Sequence, residues 1–348
     1  MISLRGLATG IGSLPYTDPD QAVDVVLKYL PQAPFWPQLP KIGLREGMIA
    51  QFSQNLPCLK ITPDGLYFDP KHEEQELESF YEQVIAHNLD YFRIGPDYAA
   101  GLYEFHEKLA KIDLSNIEFI KCHVTGPLTF AAGLKDEKGL ALLHDKVFMQ
   151  VIVKGLVMKA LWQIKHFSAF GKKIIIFIDE PYLSGLGSAF TPLNREDAAR
   201  TLVEFAEAIK SENTLIGVHC CGNTDWSVLT ENKYIDIINF DAFGYLEKFI
   251  IHAHDLKKFM QRGGIICWGI VPTQEFTGRE TAELLVKKID SGISVLAGKG
   301  VDEKLLKNNL LVSPSCGLGS LESEKPERIL QLLAAVSANL SHPVGGKG

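Results

Sequence analysis

The stretch Leu215–Trp226 reads LIGVHCCGNTDW and sets an imidazole and two thiols side by side at the end of an apolar run. Such groups can hold a metal ion, pair as a nucleophile with its base, or pack as ordinary side chains. If the run is a β-strand, its side chains alternate between faces, so His219 and Cys221 share one face and Cys220 takes the other. A His-x-Cys pair can then converge on one ion. Cys316, in SPSCGLG, and Asp241, in INFD, could complete a set of one nitrogen, two sulfurs and one oxygen, ligand types that zinc accepts. Nucleophilic catalysis by a Cys–His dyad is a competing chemistry. Buried cysteines acting as small hydrophobes are the plainest alternative. On the residues alone, all three stay open.

The elements that must position these residues are short apolar runs ending in polar or turn residues: LATGIGSLP, APFWPQLP, EFIKCHVTGP, KKIIIFIDEP, TLIGVHCCGN, YIDIINFDAF, GGIICWGIVPT and NNLLVSPSCGLG. Several are apolar on both faces, as parallel strands covered by helices are. Helical patterns lie between them, among them DPDQAVDVVLKYL, DKVFMQVIVKGLVMKALWQIKHF and KPERILQLLAAVSANL, with Asp18, Asn194 and Thr277 expected at N-caps. The alternation predicts an α/β fold, a single (β/α)8 TIM barrel forming one domain over residues 1–348. An extra helical and hairpin insertion is expected after the second strand, between Ile42 and Asn116, with the hairpin at LKITPDGLYF. An open doubly wound sheet is the second fold. The last residues, GGKG, read as a loose end. In a barrel the site is built at the C-terminal ends of the strands. Those are the ends where Asp179, Glu180, His219, Cys221, Asp241 and Cys316 fall.

Composition narrows the function classes. The chain has 348 residues, 46% hydrophobic and 22% charged, with a formal net charge of -7. No Lys/Arg-rich block stands out, which argues against nucleic acid and anionic membrane as partners. The N-terminal MISLRGLATGIGSLP lacks the apolar segment of a signal peptide. Apolar stretches such as KKIIIFIDEP are far shorter than the roughly 20 residues that span a bilayer. Six scattered cysteines do not form a disulfide framework in a chain of this size. A cytoplasmic protein with reduced thiols is the expectation.

Taken in order, IGSLP, VTGPLTF, IDEP, HCC, DIINFD and SPSCGLG resemble the catalytic barrel of cobalamin-independent methionine synthase and the related uroporphyrinogen decarboxylase-like methyltransferases. The match runs from about Thr9 to Leu318, one barrel where the full-length synthase has two. The resemblance implies zinc held by His219, Cys221 and Cys316. The family's fourth ligand, a glutamate, falls on Asp241, one methylene shorter. It also implies methyl transfer to a small thiol, homocysteine or a relative. Asp179 would bind the substrate amine, and the backbone at Ile11 and Ser13 its carboxylate. Glu180 alternates to the other face and is expected to support the loop.

The match is uneven. A second homocysteine-binding glutamate is expected before LREGMIAQF, where the chain reads WPQLPKIG. The family's folate-contacting glutamate falls on Gly185, and its proton-donating histidine falls within GIVPT, which has none. The thiol end of the site is retained and the folate end is not. A methyl-corrinoid, presented by a corrinoid protein as partner, is therefore the expected donor in preference to methyltetrahydrofolate. The alternatives are a non-catalytic zinc- or corrinoid-binding barrel and a uroporphyrinogen decarboxylase-like decarboxylase. The loop GSLPYTDPDQ offers that decarboxylase no arginine for a polycarboxylate.

Overall fold

A computed structural model describes residues 4–188, 193–322 and 324–341; the GGKG end lies outside the described residues. Its strands are β1 (Leu7–Ala8), β2 (Leu59–Thr62), β3 (Gly65–Phe68), β4 (Phe119–Thr125), β5 (Lys173–Asp179), β6 (Thr214–Cys220), β7 (Ile237–Phe240), β8 (Ile265–Val271) and β9 (Leu310–Pro314). Seven of them make one sheet in the order β1-β9-β8-β7-β6-β5-β4, and every pairing in it is parallel. Every residue of β4 and β8 is buried, as expected of strands covered by helices outside and packed side chains inside. The architecture is a TIM-like α/β sheet curved into a partial barrel.

The expected strand APFWPQLP is not a regular one. It makes single parallel bridges on both sides, Phe35 with Lys121 on β4 and Gln38 with Ser13 beyond β1. Around them, Lys121 N donates to Pro34 O at 2.8 Å and Gln38 N to Gly12 O at 3.0 Å. The reason lies in its composition. Pro34, Pro37 and Pro40 have no N–H to give a ladder. The gap between β1 and β4 is thus spanned by isolated bonds where a paired strand was expected.

Helices Pro19–Tyr29 and Arg195–Ile209 start at Asp18 and Asn194, whose side chains accept from Asp20 N and Asp197 N. The helix expected to start at Thr277 begins four residues later. Its cap is Thr281, over Ala282–Gly298, because Glu280 turns back to accept from the Thr277 hydroxyl and from Gly278 N. The helix Lys146–Ser168 is long and apolar enough to cross a membrane by length and composition alone, a length that the apolar strand runs do not reach. Of its most apolar window, 67% is buried inside the protein, so the apolar face is accounted for by packing. Between Ile42 and Asn116 lie the antiparallel β2–β3 hairpin and the helices Glu73–Ile85 and Ala100–Leu109.

Candidate metal centre

The end of β6 delivers His219 and the residue after it delivers Cys221 to the inside of the sheet, while Cys220 is buried among the outer core. The loop after β9 brings Cys316 to meet them. The ligand atoms of His219, Cys221 and Cys316 all lie within 4.8 Å of one another. Gly317 lets this loop close. A Cβ there would sit 2.3 Å from Ser13 Oγ, and Gly319 N donates to that same oxygen at 3.1 Å. Ser13 therefore clamps the Cys316 loop onto the segment after β1. The Ile11 carbonyl accepts from the buried Lys121 ammonium.

The electrostatics favour charge separation within the trio. The hydrogen bond with Cys316, and then that with His219, hold Cys221 below the ordinary thiol range. The same bond and burial push Cys316 up. Burial lowers His219, but the bond to Cys221 and the charges of Asp179 and Cys221 outweigh it and raise the ring above its usual value. A ring raised above its usual value beside a lowered thiol is the pattern expected of ligands that release protons when a metal ion binds.

Asp179 and His219 are register partners on β5 and β6. The Asp179 carboxylate is buried, its Oδ1 has no hydrogen-bond partner, and burial pushes it up to about 6 against the pull of Lys121 and His219. Glu180, next in sequence, faces outward. Its carboxylate accepts from Leu128 N at 2.9 Å, Thr129 N at 2.8 Å and the Thr129 hydroxyl at 2.6 Å, closing the N-terminus of the helix Pro127–Ala132. A Cβ on Gly126 would meet Glu180 at 2.1 Å, so only glycine fits there.

Burial raises the carboxyl of Asp241 above its usual value, and Asp241 lies near enough to Cys221 for that charge to add to the rise. It is not among the residues whose ligand atoms converge; its Oδ1 accepts from Gly244 N at 2.8 Å and closes the turn after β7.

Three polar residues inside the sheet escaped the sequence reading. Lys121 is fully buried, with its ammonium 4.7 Å from the Phe177 ring centre, and burial lowers it to about 8. His123 is stacked on Trp36 at 3.8 Å and neither ring nitrogen has a partner. Asn239 sits beside His219 on β7. The available signal was a lysine, a histidine and an asparagine at alternate positions of strands otherwise apolar on both faces, FIKCHVT and IINF.

A cavity of about 780 Å³ lies elsewhere. Arg5, Asp290, Glu303, Lys307 and Asn308 are among its lining residues, at the opposite end of the strands. Its charges are of both signs, with Lys307 already paired to Glu303. Chemistry, not volume, marks the site, and it marks the strands' C-terminal end.

These features define a TIM-like partial barrel with an imidazole and two thiols converging at the C-terminal ends of its strands. No family model matches the chain. It is 28% identical over 217 residues to a methionine synthase of Methanocaldococcus jannaschii, an alignment covering 62% of this chain and 62% of the relative. The chain thus matches less than two thirds of that relative's length. A solved B12-independent methionine synthase from Shewanella sp. W3-18-1, in complex with selenomethionine, superposes with a TM-score of 0.57 at 17% identity, covering 98% of this chain and 99% of the other. In sequence the chain is similar to a methionine synthase, and in fold to a B12-independent one.

Proposed function

We propose that this chain, as a single domain over residues 1–348, is a zinc-dependent thiol methyltransferase whose acceptor is homocysteine or a closely related amino thiol. The observation that carries the reading is the convergence of His219, Cys221 and Cys316 within 4.8 Å. Two sulfurs and one imidazole are donors zinc favours, and catalytic zinc sites combine three protein ligands with one exchangeable position. Bound there, zinc supplies a cation that stabilises the substrate's thiolate at neutral pH. Asp179, buried beside the trio with an unpartnered oxygen, suits the ammonium of an amino thiol. The loop through Ile11 and Ser13, braced by Lys121 and by the Cys316 loop, suits its carboxylate. The open coordination position goes to the substrate sulfur, and Asp241 keeps its turn.

For the donor we infer a methyl-corrinoid carried by a partner protein. Gly185 and the GIVPT segment after β8 offer neither the acid nor the histidine that the resemblance associates with a folate donor. The chemistry belongs in a reducing cytoplasm, in keeping with six free cysteines. The reading is supported by the likeness to the M. jannaschii methionine synthase. Its test is methyl transfer by the zinc-loaded chain, with homocysteine as acceptor and methylcobalamin or methyltetrahydrofolate as donor in parallel. Methionine formed from methylcobalamin alone is the expected result. Transfer from methyltetrahydrofolate alone would refute the donor assignment, and no transfer from either would favour a non-catalytic barrel.

A further inference from the structure

His219 can bind an ion only through a ring nitrogen that carries no proton, and which nitrogen that is depends on the partner of the other. Nδ1 meets Asn239 Oδ1. An asparagine amide could present either end to an imidazole, so the question is what fixes this one. Asn239 Nδ2 lies 3.0 Å from the Cys267 carbonyl oxygen and 2.9 Å from Ser313 Oγ. A carbonyl oxygen only accepts, so the amide nitrogen must face Cys267 and the amide oxygen must face His219. The Ser313 hydroxyl spends its own proton on Pro314 O at 2.9 Å, which leaves its oxygen to accept from Asn239 as well. Two acceptors therefore lock the amide in one orientation.

The consequence passes to the ring. An oxygen facing Nδ1 demands an N–H there, which in the neutral ring leaves Nε2 unprotonated and free to bind an ion with the two sulfurs, whose ligand atoms converge with the ring's within 4.8 Å. The sheet register makes this possible. His219, Asn239 and Cys267 are successive Cα partners across β6, β7 and β8, so their side chains share one interior layer, and Asn239 and Ser313 are wholly buried. Ser313 lies on β9, three residues before Cys316. One amide therefore connects the strand that carries two of the candidate ligands to the strand that leads to the third.

We propose that Asn239 is a positioning residue for the metal centre: it fixes His219 in the tautomer that presents Nε2 to the ion, and it holds β6 in register with the strand that leads to Cys316. This rests on the metal reading above and adds to it a role for a side chain that touches neither ion nor substrate. An alanine at 239 leaves Nδ1 without its acceptor, and the two ring tautomers become comparable in energy. An aspartate keeps the acceptor and loses the donor to Cys267.

The test uses the full chain as wild type, Asn239→Ala, Asn239→Asp and Ser313→Ala. Zinc affinity is read by competition with a chromophoric chelator, and the His219 tautomer by nitrogen-15 NMR of the metal-free protein at a pH high enough to leave the ring neutral. The expected results are an Nδ1–H tautomer in wild type, a mixed tautomer in Asn239→Ala with zinc affinity down about 10- to 100-fold, and substantial recovery of both in Asn239→Asp. Ser313→Ala, the variant least disruptive to folding, should lose affinity only several-fold. Asn239→Ala with wild-type affinity and tautomer overturns the proposal, as does an Nε2–H tautomer in the wild type. A wild-type chain that binds no zinc refutes the metal reading instead, and the tautomer measurement still decides the role of Asn239.

Discussion

The two ends of the sheet's interior are built from the same strands and differ in almost every physical respect. Toward the strands' N-terminal ends, Leu7, Phe119, Ile175, Phe177, Ile237, Ile265 and Leu311 form one apolar cluster. Toward the C-terminal ends, Asp179 and Asn239 stand two residues beyond Phe177 and Ile237 on β5 and β7, with His219 level with them on β6. Every apolar position at the first end gains stability by burial. At the second, charged groups are buried with incomplete partners, the Asp179 carboxylate among them. Stability is concentrated at one end, and unsatisfied polar groups at the other are held in place by it. A cavity of about 780 Å³ opens at the apolar end, yet among the described residues the convergent donor atoms lie at the polar end.

Perturbing each end should give opposite signatures. The largest effect on stability is expected from Phe177→Ala, a fully buried ring in the apolar cluster. It should cost about 3–5 kcal/mol in denaturant unfolding, with zinc bound per folded molecule unchanged. Glu180→Ala comes next. It strips Leu128 N and Thr129 N of their acceptor and should cost about 3 kcal/mol, read by the same unfolding curves.

Asp179→Asn should act in the reverse sense. Burial raises the carboxyl from 3.8 to about 6, so between those values the folded chain holds more protons than the unfolded one and stability falls as pH rises. In the metal-free protein Asp179→Asn should match wild type near pH 4 and exceed it by up to about 3 kcal/mol above pH 6. The same substitution should raise KM for an amino thiol about tenfold or more and leave a thiol without an amine unaffected. An Asp179→Asn variant less stable than wild type at pH 7 would erase the contrast between the two ends. The smallest effect is expected from Asp241→Asn. With its carboxylate engaged by Gly244 N, zinc affinity should stay within about threefold, whereas loss of a true ligand would cost far more.

Much of the candidate site was legible because strands impose a period of two. Alternation alone separates Cys220 from His219 and Cys221, and Glu180 from Asp179. Spacing could not say whether Asp241 would reach the trio, since a carboxylate just beyond a strand can equally close the turn that follows, as it does with Gly244. The irregular second strand was written in its three prolines, and reading only its apolar residues hid them. The shift of a helix start from Thr277 to Thr281 was ambiguous in principle, because TGRET offers two threonine caps and only the contact of Glu280 with Thr277 and Gly278 decides between them. Lys121 and Asn239 were visible as polar residues in apolar strands, but their partners, Ile11 and Ser313, are more than 70 positions away in sequence. Such pairings follow from sheet register and not from any local pattern.

The central claim is that His219, Cys221 and Cys316 hold one zinc ion. The most direct measurement is zinc content by plasma mass spectrometry on the purified chain, wild type beside Cys316→Ser, after reconstitution and removal of free metal. About one zinc per wild-type chain, lost in Cys316→Ser while the variant remains folded, is the predicted result. No zinc in the wild type, or equal zinc in both, would contradict it.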